Sequence, residues 1–227
     1  MKKNFSIAID GPVGVGKGTL AVALVKNLNA LYINTGAMYR ALTLACLDKK
    51  VDIKNEKEIL DLLKNSKIEL RLDEQGVQKV FLNGRDVSKE IFLPLVSNTV
   101  AHISPFPTIR EEMVREQKEL AKTQERVVIE GRDIATKVVP QADLKIFLTA
   151  DINTRAQRRH RQMQKNNIDV SFEDVLAETQ ERDKRDMERK TSPLIISKDA
   201  YVLDTTNLTI DETVDKVMRK LREKGIA

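Results

Sequence analysis

Cysteine occurs once in the 227 residues, at Cys46, and histidine only twice. No intrachain disulfide can form, and a structural zinc site lacks its usual ligands. Tryptophan is absent and aromatic residues make up 4%, poor material for stacking bases along a nucleic-acid strand. No apolar run approaches the length that crosses a bilayer. The opening MKKNFSIAIDG breaks off at Asp10 and Gly11, so it reads as a buried strand and not as an export signal. Together these absences predict a cytoplasmic protein with no membrane partner. Neither sign of charge dominates: 39 Lys and Arg stand against 34 Asp and Glu, a formal net charge of +5. Basic residues have acidic neighbours almost everywhere, so no one-signed stripe marks a nucleic-acid footprint, and a small polyphosphate is the better fit to the excess.

Hydrophobic residues at 41% and charged residues at 32% fit a globular chain of one domain with room for an insert. Short apolar runs at Phe5–Asp10, Leu31–Ile33, Val127–Ile129, Leu144–Leu148 and Tyr201–Leu203 read as buried strands. Longer amphipathic stretches separate them. One starts at Lys17 and carries Leu20, Leu24 and Leu28. A second starts near Gly36 with Tyr39, Leu42 and Cys46. A third follows Ile210 with Val214, Val217 and Leu221, and Gly225 is its expected cap. The pattern predicts an α/β fold, a doubly wound parallel five-stranded sheet with helices on both faces. From Lys67 to Val87 the period changes to two. The turn signals Glu74-Gln75-Gly76 and Asn83-Gly84 predict a small antiparallel insert there, flanked by helices near Leu60 and from Pro94 to Ser104.

The most specific signal is Gly11-Pro12-Val13-Gly14-Val15-Gly16-Lys17-Gly18-Thr19, placed directly after one predicted strand and before a helix. Glycines let the backbone curl so that successive N–H groups face an anion, and the helix N-terminus adds its dipole. Lys17 can reach the β- and γ-phosphates of ATP. Gly18 stands where Ser or Thr usually follows the lysine. The GKGT ending resembles the nucleoside monophosphate kinases more than GTPases or transport ATPases, and no Asn-Lys-x-Asp guanine motif is present. No residue is directly assigned to a metal. Thr19 is the candidate for meeting Mg²⁺, while Asp10, Glu130 and Asp133 could hold it through water or be tied up by a neighbouring arginine.

A kinase whose acceptor is itself a phosphate needs no general base, because the attacking oxygen is already anionic. It needs cations that bring two anions together. Arg40 lies in NTGAMYR and Arg132 in GRD, both near the carboxyl ends of predicted strands, where ligands collect in doubly wound sheets. A third group comprises Arg155, Arg158, Arg159 and Arg161, followed by Arg182, Asp186 and Arg189. The last three are spaced so that a helix would present them on one face. Lys17, Arg40, Arg132 and Arg158 are the cations expected to act on the transferred group. His102 and His160 read as surface or packing residues.

The motifs IDGPVGVGKGT, NTGAMYRAL, NGRDVS, GRDIAT, IFLTADINTRAQRR and QERDKRDMER followed by SPL resemble, in order and spacing, the bacterial cytidylate kinases, from about residue 5 to residue 220. The resemblance implies a P-loop core at 1–63, 98–154 and 191–227, a monophosphate-binding insert at about 64–97 and an Arg-rich lid at about 155–190. It implies that Gly11 to Thr19 hold ATP, with Mg²⁺ as its complex, and that CMP or dCMP accepts the phosphate in pyrimidine nucleotide metabolism. Carried over by motif, Arg40 and Arg189 contact the CMP phosphate, Arg110 and Asp133 the cytosine, and Arg182 and Asp186 the ribose. Thr35 keeps a hydroxyl where the family often has Ser. Two positions depart from the pattern: Ala101 where the family has Ser, and Asn34 where it commonly has Asp. A monomer is expected. The alternatives are a P-loop kinase for UMP, AMP or a sugar acid, and a nucleotide- or RNA-binding regulator.

Overall fold

In the computed structural model, which describes residues 2–73, 77–165 and 168–227, the elements follow the expected alternation closely. The turn signal Glu74-Gln75-Gly76 lies outside the described residues. In chain order the elements are β1 (Phe5–Asp10), α1 (Lys17–Leu28), β2 (Leu31–Asn34), α2 (Thr35–Asp48), α3 (Glu56–Lys64), β3 (Ile68–Leu72), β4 (Gln78–Leu82) and β5 (Arg85–Asp86). There follow α4 (Pro94–Ile103), α5 (Pro107–Lys122), β6 (Arg126–Gly131), β7 (Leu144–Thr149), α6 (Ile152–Lys165), α7 (Phe172–Glu188), β8 (Tyr201–Asp204) and α8 (Ile210–Glu223).

A five-stranded parallel sheet runs in the order β2-β6-β1-β7-β8, with helices on both faces. β1 is its centre: Ile7 pairs with Val128 on one side and with Leu144 on the other. Phe5, Ile7, Ala8 and Ile9 are buried, so the strand reads as an apolar run rather than an alternation, as a strand covered on both faces should. α1 lays Leu20, Leu24 and Leu28 inward, each fully enclosed. α8 opens on a reciprocal cap between Thr209 and Glu212. It closes on Gly225, whose φ of 67° lets its N–H reach Arg222 O and the Ile226 N–H reach Leu221 O.

The chain forms two compact units. One joins Met1–Ala30 to Glu125–Ala227, and the other is Leu31–Gln124. The second unit contains a three-stranded antiparallel sheet, β3-β4-β5. Asn83 and Gly84 both take positive φ, 51° and 84°, as a two-residue hairpin between β4 and β5 requires. α5 was not expected from the sequence. Its inward stripe is Ile109, Met113, Gln117 and Ala121 at four-residue spacing, interrupted by a glutamine in a strongly charged stretch. The expectation that one helical face carries Arg182, Asp186 and Arg189 needs correction. α7 ends at Glu188, and Arg189 caps it with extended backbone, φ −60° and ψ 138°.

Candidate active site

Between β1 and α1 the chain turns through Gly11, Gly14 and Gly16, all at positive φ. A side chain at Gly11 would collide with Leu148 O, so β7 packs directly against the loop's first residue. Lys17 opens α1 and folds back over the loop, where its Nζ donates to Gly11 O and Pro12 O, each at 2.8 Å. The side chain is buried, and burial together with the Arg132 charge lowers its pKa well below the usual lysine range, against the opposing pull of Glu130 and Asp186. A cation held under those conditions gains from an anion brought next to it. Thr19 is exposed in the first turn of α1.

Arg132, just past the end of β6, donates from Nε to Asp186 Oδ2 at 2.7 Å. Asp186 lies 3.6 Å from Arg189 Nη1 as well, so one carboxylate of α7 serves two arginines. Burial works against the Arg132 charge, but Asp186 outweighs it and raises the pKa above the ordinary value. Burial likewise opposes the Asp186 charge, and Arg132, Arg189 and Arg182 together hold its pKa down. Arg189 Nε donates to Ser192 O at 2.6 Å, which anchors the turn after the helix. Arg158 lies elsewhere in the same unit. Its guanidinium donates to Thr205 Oγ1 at 3.0 Å and Thr205 O at 2.6 Å, and Thr205 Oγ1 lies 3.3 Å from Val15 O. Arg158 therefore meets the phosphate loop through Thr205.

Of the three carboxylates at strand ends, Asp10 is tied up by backbone and not by an arginine. Its Oδ1 accepts from Ile134 N at 2.9 Å and its Oδ2 from Ala135 N at 2.8 Å, which caps the short helical turn Ile134–Val138. Burial nevertheless raises its pKa to about 6. The folded chain therefore keeps a proton that the unfolded chain has released above about pH 4, and stability from this group falls as pH rises towards 6 and levels off beyond. The full span is about 3 kcal/mol. Urea midpoints of the protein and of Asp10→Asn, measured between pH 4.5 and 7.5, test this. The advantage of the wild type over the variant should shrink with rising pH, and a constant difference would refute the assignment.

The unit Leu31–Gln124 carries its own candidate residues. Arg40 on α2 donates from Nη1 to Ser97 Oγ at 2.6 Å and to Ile91 O at 3.3 Å. Arg110 on α5, 2% exposed, donates to Ser104 O at 3.1 Å and lies 5.5 Å over the Tyr39 ring. Thr35, the first residue of α2, is buried. Asn34 caps the same helix by accepting from Ala37 N at 3.0 Å, a structural duty that explains an amide at that position. Ala101 is half-buried on α4, one turn after Ser97.

Sequence reasoning did not assign roles to Ser97, Thr205, Arg155 or Asp183. Ser97 and Thr205 hold the guanidinium groups of Arg40 and Arg158. Arg155 stands in a row of arginines, and burial rather than spacing separates it from its neighbours. Among the described residues no group of three or more His, Cys, Asp or Glu could hold a metal ion, and no helix is long and apolar enough to cross a membrane.

The family model described as cytidylate kinase matches residues 7–223. The chain is 48% identical over 218 residues, 96% of each chain, to proteins named cytidylate kinase from Bacillus thuringiensis (strain Al Hakam) and Bacillus cereus (strain AH187). Among solved structures it is similar to an uncharacterized protein from Eubacterium ventriosum ATCC 27560. That match has TM-score 0.51 and 17% identity, covers 97% of this chain and 99% of the other, and bears on the fold alone.

Proposed function

The chain belongs to the cytidylate kinase family, and from that premise we propose how its residues divide the work of moving the terminal phosphate of ATP onto CMP. The chemistry requires positioning and charge neutralisation rather than a base, since the acceptor oxygen is already an anion. The observation that carries the reading is the phosphate loop with the Lys17 cation folded over it, in the same unit as the Arg132–Asp186–Arg189 cluster.

Gly11 to Gly16 and the first N–H groups of α1 bind the donor phosphates. Lys17 follows the charge that develops between donor and acceptor, and Arg132 neutralises the transferred group. Asp186 keeps Arg132 charged and aimed. Arg158, held by Thr205 at the loop, is assigned to the donor phosphates. Arg40 and Arg189 are assigned to the phosphate of CMP, Arg182 and Asp186 to its ribose, and Arg110 and Asp133 to the cytosine. An arginine donor and a carboxylate acceptor complement the acceptors and the amino group of that ring. A Cβ at Gly16 would meet nothing within 4 Å, so the loop is open there, and the exposed Thr19 offers a hydroxyl to a hard cation brought by ATP. Mg²⁺ would lower the charge density on the β- and γ-phosphates, and the other contacts are the chain's own. The core, insert and lid boundaries of the family are assigned to 1–63, 98–154 and 191–227, to 64–97 and to 155–190. A cytoplasmic monomer fits this reading.

An acceptor panel tests it. With saturating ATP, ADP release should be fastest with CMP, with dCMP following, and should fall by roughly 10²-fold or more with AMP. A preference for AMP or UMP would overturn the base assignment while leaving the donor half in place. RNA binding with steep salt dependence and no turnover would favour a regulator instead.

A further inference from the structure

We propose that Arg155 and Asp183 are a positioning pair that keeps the phosphate loop in register with α7, the helix carrying Arg182 and Asp186. The inference rests on the phosphotransferase reading above, which gives that loop and that helix their ligands. Arg155 occupies the first turn of α6, and its side chain is 7% exposed. Its Nη1 donates to Val13 O at 3.2 Å, its Nε to Ala150 O at 3.0 Å, and Nη1 meets Asp183 Oδ2 at 2.6 Å. One planar guanidinium therefore joins the loop, the end of β7 and α7, a task that a flexible ammonium could not perform in one geometry.

A second contact makes the link stiff. A Cβ placed on Gly14 would lie 2.9 Å from Arg155 O and 3.1 Å from Arg155 Cβ. Loop backbone and helix backbone thus touch at Gly14, and a shift of Arg155 is a shift of the loop. On α7, Asp183 is the neighbour of Arg182 and stands three residues before Asp186, so the carboxylate that fixes Arg155 also fixes the register of both groups.

Among the described residues the other oxygen, Asp183 Oδ1, is buried with no hydrogen-bond partner. A half-satisfied buried carboxylate is a poor device for stability, and apolar pairs of similar volume commonly replace such ion pairs at no cost. The pair is therefore explained by geometry, and this sets the test.

Three variants are compared: Asp183→Asn, Arg155→Lys, and the apolar double variant Arg155→Met with Asp183→Leu. The affinity for a non-hydrolysable ATP analogue is measured by calorimetry with no acceptor present, alongside the thermal midpoint, KM for ATP and kcat. Each variant should bind the analogue about tenfold more weakly, with kcat lowered. The double variant should keep its midpoint within a few degrees and lose no more affinity than the worse single variant, as partners in one unit do. A folded double variant with wild-type affinity would overturn the proposal. Should that variant not fold, Arg155→Lys decides, because it keeps the charge and loses the fork; wild-type affinity there also overturns it. A wild-type protein that binds the analogue but phosphorylates no CMP removes the functional reading and leaves the pair standing.

Discussion

Lys17→Ala should abolish measurable phosphate transfer, with kcat/KM down by roughly 10³-fold or more, while the chain stays folded. The size follows from where the ammonium lies. Its Nζ is within 2.8 Å of two loop carbonyls, and burial and Arg132 both press it towards the neutral form. Developing negative charge on the transferred group adds to the pull of Glu130 and Asp186 on this cation, so the interaction is stronger in the transition state than before it. The fold should tolerate the change, since truncation removes a buried cation and leaves only two carbonyl acceptors to be met by water. Steady-state rates and far-UV circular dichroism on the same preparation separate the two effects. A variant with normal turnover would take Lys17 out of the mechanism.

Gly11→Ala should be the costlier change for stability, at least about 3 kcal/mol. Gly11 has φ of +149°, which L-residues rarely adopt, and the added methyl would fall well inside 3.0 Å of Leu148 O. That oxygen belongs to the backbone of β7, next to the central strand, so no side chain can swing away to make room. Either the loop lifts or the β1–β7 pairing loosens, and activity falls in both cases. Urea unfolding with the midpoint and slope both recorded is the check. A wild-type midpoint would mean the loop absorbs the methyl elsewhere.

Much of this fold is legible because its signals are local. Phe5–Asp10 is mostly apolar and gives way to Gly11, and the structure returns those limits. The hairpin at Asn83-Gly84 needs two positive φ angles, and the dipeptide states as much. The misses have physical causes. α5 hides its inward stripe because Gln117, buried like its apolar neighbours, reads as polar. Arg189 keeps helical spacing in sequence but follows the last helical residue, and it reaches Asp186 from a turn. The site was legible as a set of cations and not as a set of partners. Arg155 and Arg158 differ by three positions in one arginine run. One is locked to Asp183 and Val13 O and the other to Thr205, and only tertiary contacts separate them.

The central strand is made long before the neighbours that flank it. Phe5 pairs with Arg126 and Ile7 with Leu144, roughly 120 and 140 residues later in the chain, so nothing can close β1 into the sheet early in synthesis. What lies between is mostly Leu31–Gln124, an unbroken stretch that forms a unit of its own. Once that stretch has collapsed, the loop to be closed is far shorter in effect than its residue count, and the entropy of joining β1 to β6 falls accordingly. The phosphate loop leads directly out of β1 and packs Gly11 against Leu148 O of β7, so its final shape must wait for strands made more than a hundred residues after it.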